Sequence, residues 1–422
     1  MAAADRLTAV YLLETPLDPA KVADVLAGEQ SSGTFLRVPG ETDDLRARSR
    51  ATVTRIEELE PTEQPSLRSA WLERQRRGGP YRRARVTVEF PIGNIGTNLA
   101  TLAATVAGNL YDIGEATGLK LISLALPGDY RRKFEMPRQG IAGTRKFADV
   151  HGRPILGTII KPNVGMSAEQ TATLVAELCA AGLDFIKDDE VNADSVWAPI
   201  GERIRAVMAK VRAHQDRTGR RVMVAFNISD ETDAMRRHAD LIAAEDGTCA
   251  MVSLNWCGLS AVQTLRRSTD LAIHGHRNGF GMLSRDAALG ITAPAYQTLY
   301  RLAGIDHMHV HGLAGKFADF DDDVTEATRD CLTPLADDDA VMPAFSSGQW
   351  AGTLPVTYAA TRSPDFLFLC GGGIIAHPDG PSAGVASLLA AWEAVKNGER
   401  LEARAEHAPE LKRALEFFGA RG

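Results

Sequence analysis

From residue 154 onward, short apolar runs recur along the chain, each followed by a longer amphipathic stretch. The runs are PILGTIIK (154–161), LDFIKDDE (183–190), RVMVAFNI (221–228), AMVSLN (250–255), LAIHGH (271–276), DHMHVH (306–311), VMPAFSSG (341–348) and DFLFLCGGG (365–373). Their length and their branched and aromatic content suit β-strands. Between them lie segments with helical periodicity, such as 199–217 and 167–181; the latter begins SAEQ, in the manner of a helix capping box. Eight such alternations predict an α/β fold with a parallel (β/α)₈ barrel, and an open doubly wound sheet has the same periodicity.

The chain before about residue 140 reads differently. Strand-like ARVTVEF (84–90) mixes with an amphipathic stretch at 98–110, which predicts an α+β domain. The charged segment 129–150, DYRRKFEMPRQGIAGTRKFADV, holds Pro137, Gly140 and Gly143 and is expected to connect the two parts. The expected division is 1–140 and 141–422.

Polar residues discriminate between barrel and open sheet. In a barrel they gather at the C-terminal ends of the strands, where the loops build one shared site, and avoid the apolar strand centres. Lys161, Lys187 with Asp189 and Glu190, Asn227, Asn255, His276 with Arg277, His309 with His311, Ser346 with Ser347, and the glycines 371–373 each end a run. Eight in succession are hard to explain as solvated loop ends, so the barrel is favoured.

Composition sets limits on function. The 422 residues are 45% hydrophobic and 24% charged, with a formal net charge of −7. That balance argues against a general nucleic-acid or membrane-surface binder, because polyanion affinity needs clustered cations. Five scattered cysteines without a C-x-x-C pair suggest neither a disulfide framework nor a structural zinc site. The first sixteen residues lack a basic segment followed by a long apolar one, and no uncharged apolar run reaches the roughly 18 residues of a membrane helix. An unexported protein of a reducing cytoplasm is expected.

The segment GLDFIKDDE (182–190) carries the strongest chemical signal. Strand alternation puts Lys187 and Asp189 on one face, and Glu190 sits where the chain leaves the strand. Carboxylates so placed suit a hard cation such as Mg²⁺, although a lysine beside them normally repels one.

With GTIIKPNVGMSAEQ (157–170) ahead of it, this segment resembles the two best-known signatures of the RuBisCO superfamily, in order and at the expected separation. The likeness extends through IDHMHVHGLAGK, FSSGQW and CGGGIIAHPDGPSAG, and into EQSSGTF and VAGN near the N-terminus. It implies an N-terminal ferredoxin-like α+β domain before a C-terminal (β/α)₈ TIM barrel. It also implies that CO₂ carbamylates Lys187, making it an anionic ligand that holds one Mg²⁺ with Asp189 and Glu190. Such a cation lowers the energy of a developing enolate oxygen by several kcal/mol. Lys161 matches the lysine that handles protons at the substrate carbon. His276 is a further catalytic match, and Arg277, His309, Ser346, Gly348, Gly372 and Gly373 look like substrate grips, with phosphate the natural ligand of the glycine-rich ends. Glu29, Thr34 and Asn109 match residues that reach the site of a neighbouring subunit, so a homodimer or higher oligomer with shared sites is implied.

The pattern departs from carboxylating members at several places. Asn163 stands where they have a second lysine, Phe280 replaces a histidine three residues after Arg277, and Phe35 and Leu36 replace a tryptophan and a threonine. Lys316 aligns with the mobile-loop lysine used on CO₂, yet Asp319, Asp321, Asp322 and Asp323 follow it. An intact metal triad in altered surroundings is the pattern of RuBisCO-like (form IV) proteins, which keep the enolising chemistry without CO₂ fixation. The resemblance thus implies a Mg²⁺-dependent enzyme of phosphorylated keto-sugars or sugar acids. The leading expectation is decarboxylation of a β-keto acid of the 3-oxo-isoapionate 4-phosphate type. The alternative is an enolase or isomerase of methylthio-sugar phosphates, acting on 2,3-diketo-5-methylthiopentyl 1-phosphate or methylthioribulose 1-phosphate. A non-catalytic binding module is the alternative of another class; it is opposed by the retained Lys161, Lys187, Asp189 and Glu190, because costly like charges kept close together have no other evident purpose.

Overall fold

The computed structural model describes residues 5–33 and 38–420. Thirteen strands form among them: β1 (Arg6–Thr15), β2 (Thr52–Thr62), β3 (Tyr81–Pro91), β4 (Gly118–Ala125), β5 (Ile155–Ile159), β6 (Phe185–Lys187), β7 (Met223–Asn227), β8 (Cys249–Ser253), β9 (Ala272–His276), β10 (Leu289–Ile291), β11 (His307–His311), β12 (Met342–Phe345) and β13 (Leu367–Leu369). They belong to two compact units. One comprises Met1–Glu135, Gly279–Ala303 and Leu335–Asp338, the other Met136–Asn278, Gly304–Pro334 and Asp339–Gly422.

The first unit is built on a sheet of order β10-β4-β1-β3-β2, antiparallel except for the β10–β4 pair. Alternation along the strands explains its buried face: Leu7, Ala9, Tyr11 and Leu13 of β1 point inward beside Ala84, Val86, Val88 and Phe90 of β3. Burying such side chains contributes about 1.5–3 kcal/mol for each large one. The Tyr11 hydroxyl donates to the Val106 carbonyl at 2.8 Å. β2, at one edge, carries the charged residues Arg55, Glu57 and Glu58 and is mostly exposed, which discourages pairing with other chains.

The second unit is a closed barrel. β5, β6, β7, β8, β9, β11, β12 and β13 follow one another around it, each parallel to its neighbours, with β13 closing onto β5. All eight apolar runs thus become barrel strands, and the barrel reading holds over the open sheet. The expected N-terminal α+β unit and C-terminal barrel are both present. Gly157 marks a close approach: a Cβ there would come within 2.7 Å of both the Phe185 carbonyl oxygen and a Leu369 methyl. The interior is filled by side chains including Phe185, Met223, Met251, Met342, Leu367 and Leu369.

Helices cap their ends as the sequence suggests. Ala168–Ala180 begins with a reciprocal capping box between Ser167 and Gln170. The segment 129–150, read as a connection, contains the helix Gly140–Ala148, whose Ala148 joins the barrel's apolar core. The backbone N–H groups of Gln139 and Gly140 donate to the Asp306 carboxylate at 2.6 and 2.8 Å, and Asp306 pairs with Arg266 at 2.8 Å, both side chains fully buried. No helix among the described residues is long and apolar enough to cross a membrane.

Candidate active site

The C-terminal end of β6 carries a lysine and three successive acidic residues whose side chains part company. Lys187 and Asp189 are buried, while Glu190 is partly exposed. Asp188 turns the other way: its Oδ2 accepts from the Asn227 backbone N–H at 3.0 Å and pairs with the fully buried Arg203 at 3.2 Å. The Asn227 amide, at the end of β7, donates to the carbonyls of Asp189 and Glu190 at 3.1 and 3.0 Å. That pins the turn on which the two site carboxylates sit.

Lys161 reaches in from beyond β5. Its Nζ donates to Asp189 Oδ2 and to Asn163 Oδ1, each at 2.7 Å. Burial pushes the Asp189 carboxyl up, but the Lys161 hydrogen bond and the charges of Lys161 and Lys187 hold it below the usual carboxylate range. Lys187 is 1% exposed; its Nζ donates to the Asp188 carbonyl at 2.8 Å and lies 3.5 Å from Met251 Sδ. Desolvation brings its pKa down to about 8 against the opposing pull of Glu190 and Asp189.

Four histidines extend the site into and across the barrel. His276 Nδ1 accepts the Asn278 backbone N–H, so its proton sits on Nε2, 3.6 Å from Glu190 Oε2. His309 stacks on His276 with ring centroids 4.2 Å apart. His309 Nε2 is 2.7 Å from His274 Nε2, and His274 Nδ1 is 3.2 Å from His307 Nδ1. The column ends at Ser346 Oγ, 3.3 Å from His309 Nδ1, and at Thr144 Oγ1, 2.8 Å from His307 Nε2. Burial drives all four imidazoles below their usual range, His307 to about 3. They are neutral at physiological pH.

A third group lies at the ends of β9 and β11. His311 Nδ1 donates to Asp319 Oδ2 at 2.6 Å, and Asp319 Oδ1 is 3.8 Å from Arg277 Nη2. The His311 hydrogen bond holds the Asp319 carboxyl below its usual range, while burial holds the His311 imidazole down. Lys316, on the same loop, is exposed, with its Nζ 5.4 Å from the Phe317 ring centroid and its backbone N–H donating to the Ser347 carbonyl at 3.3 Å. Gly348 adopts φ +86, and a Cβ on Gly372 would meet nothing within 4 Å, leaving room for a ligand at the end of β13.

The barrel therefore places the predicted Lys161, Asn163, Lys187, Asp189, Glu190, His276, Arg277, Ser346, Gly348, Gly372 and Gly373 at the C-terminal ends of its strands, while His309 sits in the middle of β11, inside the barrel. Glu29 ends the helix Pro19–Glu29 and Asn109 opens the turn Asn109–Asp112, both exposed in the first unit. Phe280, in the same unit, is buried against Tyr296 at 4.7 Å between centroids. Thr34, Phe35 and Leu36 lie outside the described residues. Sequence reasoning missed His274, His307 and Thr144, and it read Asp319 only as one of several acids.

The donor set fits magnesium on one condition. Among the described residues no three histidine, cysteine or carboxylate side chains converge as a metal site. Asp189 and Glu190 are oxygen donors of the kind Mg²⁺ takes, and Lys187 beside them would add a third protein oxygen only as a carbamate. A carbamate forms only on a neutral amine, and the desolvation that lowers Lys187 to about 8 makes that form accessible at a pH well below the ordinary lysine range.

Residues 2–130 match the family model "Ribulose bisphosphate carboxylase large chain, N-terminal domain" and residues 140–418 match the corresponding catalytic domain. A 3-oxo-isoapionate-4-phosphate transcarboxylase/hydrolase of Xanthobacter autotrophicus is 46% identical, over 98% of this chain and 99% of its own. A 3-oxo-isoapionate-4-phosphate decarboxylase of Rhizobium rhizogenes is 40% identical over 98% of each. The crystal structure of a rubisco-like protein from Burkholderia fungorum superposes with a TM-score of 0.94 at 63% identity, covering 98% of this chain and 100% of that one.

Proposed function

The chain belongs to the ribulose bisphosphate carboxylase large-chain family, and from that premise we propose that it is a Mg²⁺-dependent decarboxylase of 3-oxo-isoapionate 4-phosphate rather than a CO₂-fixing enzyme. A 3-oxo acid carries its ketone β to the carboxylate. Breaking the C1–C2 bond releases CO₂ and leaves the electron pair as an enolate across C2 and C3, with the charge on the C3 oxygen. Magnesium, when bound by Asp189, Glu190 and the Lys187 carbamate, supplies Lewis-acid stabilisation of that charge.

The remaining steps fall to this chain's own groups. Lys161 gives its ammonium proton to C2 after CO₂ leaves, restoring the ketone, and regains a proton from water. Its contacts with Asp189 and Asn163 hold the ammonium over the cluster. His276, with its N–H towards Glu190, orients that carboxylate. Backbone N–H groups around Gly348, Gly372 and Gly373 receive the phosphate, and His309 fixes the Ser346 hydroxyl, whose oxygen is left to accept from a substrate hydroxyl. Glu29, Thr34 and Asn109 complete the site from the neighbouring subunit of a homodimer or higher oligomer.

The observation that carries this reading is the 2.7 Å approach of Lys161 to Asp189 beside a buried lysine whose pKa desolvation brings down to about 8. One arrangement supplies a proton donor and a route to the third metal ligand. The test is CO₂ release from 3-oxo-isoapionate 4-phosphate with and without Mg²⁺. No release, together with turnover of 2,3-diketo-5-methylthiopentyl 1-phosphate, would sink the decarboxylase in favour of an enolase.

A second reading shares the first step. The relative named a transcarboxylase/hydrolase acts on the same 3-oxo acid, and Lys316 is retained on the loop after β11. Where C2 bears a hydroxyl, a proton moved from that oxygen to the C3 oxygen makes C3 the nucleophile. Returning the released CO₂ there leaves a ketone at C2, and attack of water on that ketone breaks C2–C3, with C3 taking a proton, to give two smaller acids in place of a keto-sugar phosphate and CO₂. Product analysis by NMR separates the two.

A further inference from the structure

The barrel mouth holds one constellation to which the proposed reaction gives no task. Arg277 directly follows β9, His311 ends β11, and Asp319 turns back from the segment before the helix Asp321–Leu332. The Asp319 carboxylate bridges the other two, 2.6 Å from His311 Nδ1 and 3.8 Å from Arg277 Nη2. The backbone is bent to build the arrangement: His311 has φ +66, a left-handed conformation that a non-glycine residue adopts at a cost. The Phe317 ring packs on the imidazole, with centroids 4.9 Å apart.

Exposure decides what a ligand meets. The Arg277 side chain is 2% exposed, whereas those of His311 and Asp319 are 20% and 21% exposed. The guanidinium is thus covered, and the surface offered is a carboxylate edge beside an imidazole. A carboxylate can only accept, so the shared proton sits on His311 Nδ1 and leaves Nε2 of the neutral ring as an acceptor. Both exposed groups call for an O–H donor. A phosphate brought here would face a carboxylate of its own sign before it could reach the arginine.

We propose that Asp319, held by His311 and Arg277, forms a hydroxyl subsite that commits the enzyme to substrates with a single phosphate and a hydroxyl-bearing carbon at the far end, and that it rejects sugar bisphosphates. This deepens the sugar-phosphate reading above and rests on it. Asp319 is the specificity-determining residue; His311 and Arg277 position it.

The test measures binding, without turnover, to the full chain incubated with Mg²⁺ and CO₂. Ribulose 5-phosphate and ribulose 1,5-bisphosphate serve as probes with one carbon skeleton and one or two phosphates. The wild type is expected to prefer the monophosphate by at least about tenfold. Asp319→Asn removes the charge at constant shape and should narrow that ratio by about tenfold, mainly by tighter bisphosphate binding. A purely structural aspartate would weaken both probes alike. Equal or tighter binding of the bisphosphate to the wild type overturns the proposal, as does an unchanged ratio in the variant. So does failure of the wild type to bind either probe. The wild-type ratio decides even where the variant fails to fold. Preference for the monophosphate without CO₂ release from the 3-oxo acid would leave the subsite standing and overturn the decarboxylase.

Discussion

Lys161 and Asp189 meet across adjacent barrel strands, with 2.7 Å between ammonium and carboxylate; the lysine side chain is 40% exposed and the aspartate 2%. The carboxylate is anchored in the protein and the ammonium is open to solvent. That asymmetry fits the proton donor proposed above better than a structural ion pair.

Lys161→Met should therefore lower kcat by about 10²–10⁴-fold, the usual contribution of a positioned acid. Only the lysine end of the pair is exposed, so the variant also strips a partner from the buried Asp189 carboxylate, and stability should fall by about 1–3 kcal/mol. CO₂ release and urea unfolding measured on the same preparation check both. A variant with near-normal turnover would assign the proton to another group.

Activation by CO₂ should depend on pH in a stated direction. Lys187 is held at about 8 by burial, below the ordinary lysine value, so its amine is protonated below that pH and neutral above it. Only the neutral amine attacks CO₂, so preincubation with CO₂ and Mg²⁺ should activate faster as pH rises through about 8. The lag before steady turnover at pH 7 and pH 9 is the measurement. Lys187→Met should abolish turnover while leaving the fold intact, and it should remove the ¹³C carbamate signal formed from labelled CO₂.

What was legible in the sequence was periodic or local. Eight apolar runs gave eight barrel strands because each strand is buried, and SAEQ gave a capping box because its partners lie three residues apart. Lys187, Asp189 and Glu190 share one turn and could be read together. β10 was not seen: three residues pairing with β4, some 170 positions earlier, leave no periodic trace. The contact between His274 and His307 arises from barrel closure, which sets their strands side by side. Nothing along the chain says that Asp319, among four nearby acids, turns back onto His311.

The Arg266–Asp306 pair should be expensive to break. Both side chains are fully buried, and Asp306 also accepts the backbone N–H groups of Gln139, Gly140 and Ile273. Asp306→Ala strands a buried guanidinium and three donors, at a cost of roughly 3–5 kcal/mol. Chemical denaturation measures it; a loss under about 1 kcal/mol would mean that water or another group replaces the carboxylate.

The histidine column has a direction that can be read from its lower end. The Thr144 hydroxyl donates to the Gly140 carbonyl at 2.5 Å, and a carbonyl can only accept. Thr144 has one proton to give, so it must accept from His307 Nε2. His307 Nδ1 is then an acceptor for His274 Nδ1–H, and His274 Nε2 an acceptor for His309 Nε2–H, which leaves His309 Nδ1 to accept from Ser346. The protonated nitrogens should therefore alternate Nε2, Nδ1, Nε2 along His307, His274 and His309. Because burial holds all three rings neutral, ¹⁵N spectra of histidine-labelled protein should show these tautomers unchanged from pH 6 to 8. Thr144→Val removes the anchoring hydroxyl without changing shape, and the same spectra should then show a mixture of both polarities. A single unchanged pattern in that variant would mean that the direction is set from the Ser346 end.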